Sequence, residues 1–195
     1  MKSRIERAVT LWRQGTDPRG TLVEAYLASR ALALAPDIAM RVIRFHAACP
    51  WRERCSGELV HIPAMLVVMR HIYTNRVTAV QRTALSQTGK KIGRMTLGPK
   101  TSAAIKLSAD EDVTMGLAIG EGVETVLSAM KLNFNPAWAV GDASNMRAFP
   151  VLSGIGCLTI IVDNDEGGTG QRAALECSNR WTSAGREGAS TGHGA

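Results

Sequence analysis

The chain has 195 residues, 45% of them apolar, and a formal net charge of +6. That length holds one ordinary domain or two small ones, and the apolar share is enough for a real core. There is no apolar run of about 18 residues and no signal-peptide core in the charged N-terminus MKSRIERAVTLWRQ, so a cytoplasmic protein is expected, and the positive charge favours polyanionic partners.

In chain order, Ile5, Ala8, Val9 and Trp12 recur at i, i+3, i+4 and i+7, which predicts an amphipathic helix. Asp17-Pro18 breaks it. Thr21 opens a second helix, and Glu24 three residues on completes a capping box. Pro36 forces a new start, and residues 38–45 fit helix and strand equally. Residues 1–60 therefore read as a helical N-terminal region. A β-rich stretch follows over 61–112, with strands expected at 64–69 and 77–83 and a third candidate at 103–107. Between them lies TALSQTGKKIGRMTLGPKTS, a basic loop carrying Lys90, Lys91, Arg94 and Lys100. Such a loop suits a phosphate backbone or a triphosphate, and equally a solvated hairpin surface. The four cysteines are too scattered for a disulfide scaffold, and Cys49 and Cys55 lack zinc-knuckle spacing. His46, His61, His71 and His193 form no ligand set.

The strongest signal lies in residues 116–170. Leu117-Ala118-Ile119 runs into Gly120-Glu121-Gly122, and Leu158-Thr159-Ile160-Ile161-Val162 runs into Asp163-Asn164-Asp165. Short apolar runs bounded by glycine and followed by helical patterns read as buried parallel strands of βα units. A third strand is expected at 137–141, with helices at 123–131 and 171–184. Ligands of such sheets bind at the carboxyl ends of the strands. Asp163 and Asp165 are two apart, so on extended chain they share a side and repel unless a cation joins them. Glu121, arriving from another strand end, completes an oxygen-ligand set suited to Mg²⁺ or Mn²⁺. Gly122, Gly167 and Gly168 let a phosphate approach the backbone. The bland alternative is a solvated turn that opens a helix. Glu124 either complements the helix dipole or touches a metal-bound water.

Glu-Gly after one strand and Asp-x-Asp after a later one resembles the Toprim domain of bacterial-type primases, topoisomerases, certain nucleases and recombination mediators. The segments EG-x-ET-x-L-S-A at 121–129 and D-N-D-x-x-G at 163–168 are similar to the phage- and plasmid-type primase branch. The resemblance implies an α/β fold: a Toprim-like parallel sheet with flanking helices over 113–185, preceded by a small α+β region. It implies Mg²⁺- or Mn²⁺-dependent nucleotidyl transfer, as in primer synthesis for a phage or mobile element. Glu121, Asp163 and Asp165 would be the catalytic and metal-holding acids, with Glu121 either a general base or a holder of a second ion. Arg82, Lys90, Lys91, Arg94 and Lys100 would line the nucleic-acid path. The implied partners are a DNA template, nucleoside triphosphates and a replicative helicase, because no G-x-x-x-x-G-K-[ST] motor motif occurs. A nuclease using the same acids and a non-catalytic nucleic-acid-binding module remain open. Family domains add one more strand after this point. Here GREGASTGHGA is small, polar and Gly-rich, which predicts a disordered tail over 186–195 and a shortened domain. The sheet edge left open would then be covered by a second copy, as a homodimer, or by a partner.

Overall fold

The computed structural model describes residues 3–53, 55–163 and 167–193. They fall into two units, Met1–Arg70 with Thr74–Pro99, and His71–Tyr73 with Lys100–Ala195.

The first unit begins with α1 (Arg4–Gln14). Its capping box is reciprocal: Glu6 N donates to the Ser3 hydroxyl at 3.1 Å, and Ser3 N donates to the Glu6 carboxylate at 2.6 Å. The buried stripe is Ala8, Leu11 and Trp12, turned from the expected one, so Ile5 is exposed. In α2 (Leu22–Ala28) the Thr21 hydroxyl caps Val23 N, while the Glu24 carboxylate accepts from Gly20 N at 2.8 Å instead of closing the expected box.

Strands β1 (Ile43–Arg52), β2 (Leu59–His71), β3 (Val77–Leu85) and β4 (Lys91–Leu97) run antiparallel along the path β1-β2-β3-β4. Ala8, Leu11 and Trp12 of α1 pack on Cys49, Ala64, Leu66, Val68 and Val80 of this sheet. Helix and sheet thus share one core. Two elements correct the sequence reading. β1 extends through Pro50, which a strand at the end of the path tolerates because its N–H is not needed there. β4 takes up the middle of the expected basic loop, since pairing to β3 from Val80↔Leu97 to Leu85↔Lys91 imposes the extended backbone.

The second unit holds the two-residue β5 (Ala103–Ala104), then β6 (Gly116–Gly120), α3 (Val123–Lys131), β7 (Ala137–Ala139), α4 (Ala143–Arg147), β8 (Cys157–Asp163), α5 (Thr169–Ser183) and β9 (Glu187–His193). β6 to β9 form a wholly parallel sheet in the order β7-β6-β8-β9. Side chains alternate across it. Leu117, Ile119, Trp138, Leu158, Ile160 and Val162 cluster with Phe149, Ala174, Cys177 and Trp181. Gly120 lies on the opposite face, where a Cβ would come within 2.8 Å of Val126 Cγ2 on α3. The absent side chain lets α3 sit directly on the end of β6.

β9 overturns the expectation of a disordered tail. It pairs with β8 in unbroken register from Cys157↔Glu187 to Asp163↔His193. Its small residues are a packing requirement: a Cβ on Gly188 would lie 2.9 Å from Ser178 O and 3.0 Å from Ser178 Oγ. The Ser178 hydroxyl instead donates to Gly188 O at 2.7 Å, which ties α5 to the edge strand. The β8 edge is therefore covered by the chain's own strand, and the openness argument for a second copy falls. Among the described residues no helix is long and apolar enough to cross a membrane.

Candidate functional site

The parallel register fixes what meets at the carboxyl end of the sheet. Gly120 pairs with Ile161 on one side and Ala139 on the other. Glu121 follows one residue beyond that row and Asp163 two beyond it. Strand spacing and rise then put their Cα atoms about 6 Å apart. Glu121 is half-buried, and its carbonyl accepts from Gly141 N at 2.9 Å, extending the β6–β7 ladder past the strand. Asp163 is exposed at the tip of β8. Its Oδ1 accepts a hydrogen bond from Thr125 Oγ1 at 2.8 Å, and its carbonyl accepts from Gln171 Nε2 at 3.4 Å. Alternation places Asp163 on the same face as Gly120 and Ile161, which is the α3 face, so Thr125 in the first turn of α3 reaches it.

Asp165, Asn164 and Glu166 lie outside the described residues. Among the described residues no three His, Cys, Asp or Glu side chains form a metal cluster. The structure therefore brings Glu121 and Asp163 to one sheet edge and leaves the third acid unplaced. Gly122 is the N-cap of α3. Gly168 is the N-cap of α5 at φ +61°, a left-handed conformation that favours glycine. Arg172 Nη2 donates to Gly167 O at 3.1 Å and Thr169 Oγ1 at 3.3 Å, which places a cation beside this turn.

At the next strand end, Asp142 caps α4 by accepting from Asn145 N at 2.9 Å and forms an ion pair with Lys100. Burial pushes its carboxyl up, but the Lys100 ammonium and the Asn145 and Ser144 N–H groups outweigh this and hold it below the ordinary aspartate value. Asn145 Nδ2 donates to Val140 O at 2.9 Å and Lys100 O at 3.1 Å. Lys100 is thus engaged at the sheet end of the second unit.

The remaining basic residues do not make one surface. Arg82 pairs with Leu66 and Met95, on the α1 face of the antiparallel sheet. Arg94 pairs with Thr83, on the other face. Lys90 precedes β4 and Lys91 begins it, both exposed. Sequence reasoning missed Thr125 and Arg172. Thr125 stood within the quoted EG-x-ET segment, and its role needs the β8 end beside it.

Comparison with known families gives two matches. The model described as a domain of unknown function (DUF7146) covers residues 2–107, and a Toprim domain model covers residues 116–190. Among solved structures, a DNA primase domain from Pseudomonas aeruginosa is similar over 99% of this chain and 72% of its own, with TM-score 0.62 and 12% identity. A DnaG primase catalytic domain bound to ssDNA is similar over 98% of this chain and 72% of its own, with TM-score 0.61 and 14% identity. The Aquifex aeolicus primase, comprising zinc-binding and RNA polymerase domains, is similar over 91% of this chain and 51% of its own, with TM-score 0.59 and 9% identity. At these identities the likeness is one of fold. No curated protein matches the sequence.

Proposed function

We propose that this chain, which belongs to the DUF7146 family and carries a Toprim domain, catalyses divalent-metal-dependent nucleotidyl transfer on a nucleic-acid template, as in primer synthesis. The observation that carries the reading is the convergence of Glu121 and Asp163 at adjacent parallel strand ends, with Thr125 holding Asp163. The similarity to a primase domain bound to ssDNA supports a single-stranded template.

The donor chemistry fits a hard cation. Two carboxylates and a hydroxyl supply only oxygen, and Mg²⁺ binds through one or two carboxylates while keeping waters for phosphate oxygens. Asp163 would hold the ion, with Asp165 two residues on, and Mn²⁺ would serve in its place. The bound cation would neutralise charge on the triphosphate as the 3′-hydroxyl attacks its α-phosphorus and pyrophosphate leaves. Thr125 donates to Oδ1 of Asp163, so it fixes which carboxylate oxygen turns outward. Glu121 either accepts the proton of the attacking hydroxyl or helps hold a second ion. Gly122, Gly167 and Gly168 leave backbone open beside the phosphates, and Arg172 adds positive charge there. Lys90, Lys91 and Arg94 would contact the template, and strand separation would fall to a helicase partner in a phage or mobile-element replication system.

The test is incubation of the chain with single-stranded DNA, Mg²⁺ or Mn²⁺, and labelled nucleotides. Template-dependent extension that needs all four nucleotides supports the proposal. Shortening of the DNA without nucleotides would make the protein a nuclease. Salt-dependent binding without turnover would make it a binding module.

A further inference from the structure

A second cluster of charge lies in the first unit, and the strand-end chemistry does not use it. Arg7, Thr10, Leu11 and Gln14 line one flank of α1 at i, i+3, i+4 and i+7. Together with Pro50, Arg52, Leu59, Arg82 and Leu97 they enclose an open cleft of about 420 Å³, within the range of small-molecule sites. Among the described residues three guanidinium groups line it and no carboxylate does.

Arg82 is the unusual member. It sits half-buried on the α1 face of β3, and its Nη1 donates to Pro50 O at 2.7 Å. Its guanidinium carbon lies 5.8 Å from the Trp51 ring centroid. Its Nε is buried and has no hydrogen-bond partner among the described residues. Burial pushes the adjacent Cys49 thiol up, against the smaller opposing pull of the Arg82 guanidinium beside it. A half-buried guanidinium with one buried, unused donor, and no carboxylate among the described residues lining the cleft, is a group that an anion can complete. Arg52, whose Nη1 donates to Gly57 O at 2.6 Å, and exposed Arg7 add charge at the mouth. Leu59 is 55% exposed at the rim, and with Pro50 and Leu97 it offers an apolar wall.

We propose that this cleft binds the terminal phosphate or polyphosphate of a nucleotide, free or at the 5′ end of a nucleic-acid chain, with the phosphate on Arg7, Arg52 and Arg82 and the nucleoside against Leu59 and Leu97. Guanidinium forks match phosphate oxygens bidentately and keep their charge at any working pH. The site needs no divalent ion, which separates it from the acids at the end of the parallel sheet.

The experiment is titration calorimetry on the full chain in EDTA, using pyrophosphate, a nucleoside triphosphate, and one oligonucleotide with and without a 5′-phosphate. Saturable binding of pyrophosphate and the triphosphate is expected, weakened about tenfold or more by Arg7→Ala or Arg52→Ala. Both are exposed positions whose loss leaves the core intact. Arg82→Lys keeps the charge, removes the Nε donor, and is expected to weaken binding as well. Asp163→Asn is expected to leave it unchanged, so this result stands whether or not nucleotidyl transfer is found. A preference for the 5′-phosphorylated oligonucleotide over the free triphosphate, still sensitive to Arg7 and Arg52, would assign the source as a chain end. Absence of binding by every probe, or binding indifferent to Arg7→Ala and Arg52→Ala, overturns the proposal.

Discussion

Thr125 Oγ1 donates to Asp163 Oδ1 at 2.8 Å, so the first turn of one helix holds the carboxylate at the tip of a strand 38 positions away in sequence. Removing the hydroxyl by Thr125→Val is expected to cost about 1 kcal/mol, below the usual range for a charged acceptor because Asp163 is exposed. Thr125→Ser is expected to restore both stability and any metal-dependent activity. Chemical denaturation and the extension assay check this together. Loss of stability with fully retained turnover would show that the bond is structural only.

The acids themselves are expected to be dispensable for folding. Asp163→Asn keeps an oxygen for Thr125, and Glu121→Gln keeps the shape of a half-buried side chain. Each is expected to reduce nucleotidyl transfer by about a hundredfold or more with an unchanged melting transition. Without metal the variants are expected to be as stable as the parent or slightly more so, because carboxylate repulsion is relieved. Turnover at the parental rate in either purified variant would remove these residues from the chemistry.

At the sheet edge, Gly188→Val is expected to destabilise by about 1–3 kcal/mol through overpacking against Ser178, whose carbonyl lies 2.9 Å from the position of the new Cβ. Hydrogen exchange should accelerate over 187–193 before it does so in β6. Unchanged protection of β9 would mean that α5 shifts to make room.

His46 gives the fold a pH dependence with a definite sign. Burial, with a smaller contribution from the His61 charge, holds its pKa below the ordinary histidine value. The unfolded chain, titrating near about 6.5, then binds the proton more readily than the folded one. The stabilisation is complete above that value and is lost as pH falls through the folded pKa. Denaturation midpoints are expected to drop between pH 7.5 and pH 5.5, and His46→Gln is expected to flatten that drop. A variant with the parental pH profile would place the titrating group elsewhere.

The parallel core was legible because its signals are local. Leu117 to Ile119 and Leu158 to Val162 are apolar runs cut off by Gly and acid, and they place Glu121 and Asp163 without knowledge of any partner strand. What escaped was structure that neighbours impose. Lys91–Leu97 carries two basic residues and a glycine, and only its ladder to β3 makes it a strand. Glu187–His193 has almost no apolar content, so its order comes from β8 on one side and Ser178 above it. Residues 38–45 fitted helix and strand equally, and the register shift between His46 and Cys49 and the end-of-path position that let β1 run on through Pro50 are tertiary facts. Likewise Arg82 and Arg94 look like one basic set in the sequence, yet the pleat sends them to opposite faces.

β8 is hydrogen-bonded along both sides, from Gly116↔Cys157 to Gly120↔Ile161 on one and from Cys157↔Glu187 to Asp163↔His193 on the other. The sheet therefore works as a ruler, with the height of Asp163 counted in residues from two neighbours at once. A single residue inserted within β8 would turn every later side chain to the opposite face and carry Asp163 away from Thr125. The connections at the far end of the sheet differ: residues 148–156 bury Phe149, Leu152 and Ile155 in the core, whereas residues 184–186 are exposed and carry no such constraint. Length can be added at 184–186 while the carboxylates keep their places, so that turn is where linkers or inserted domains belong.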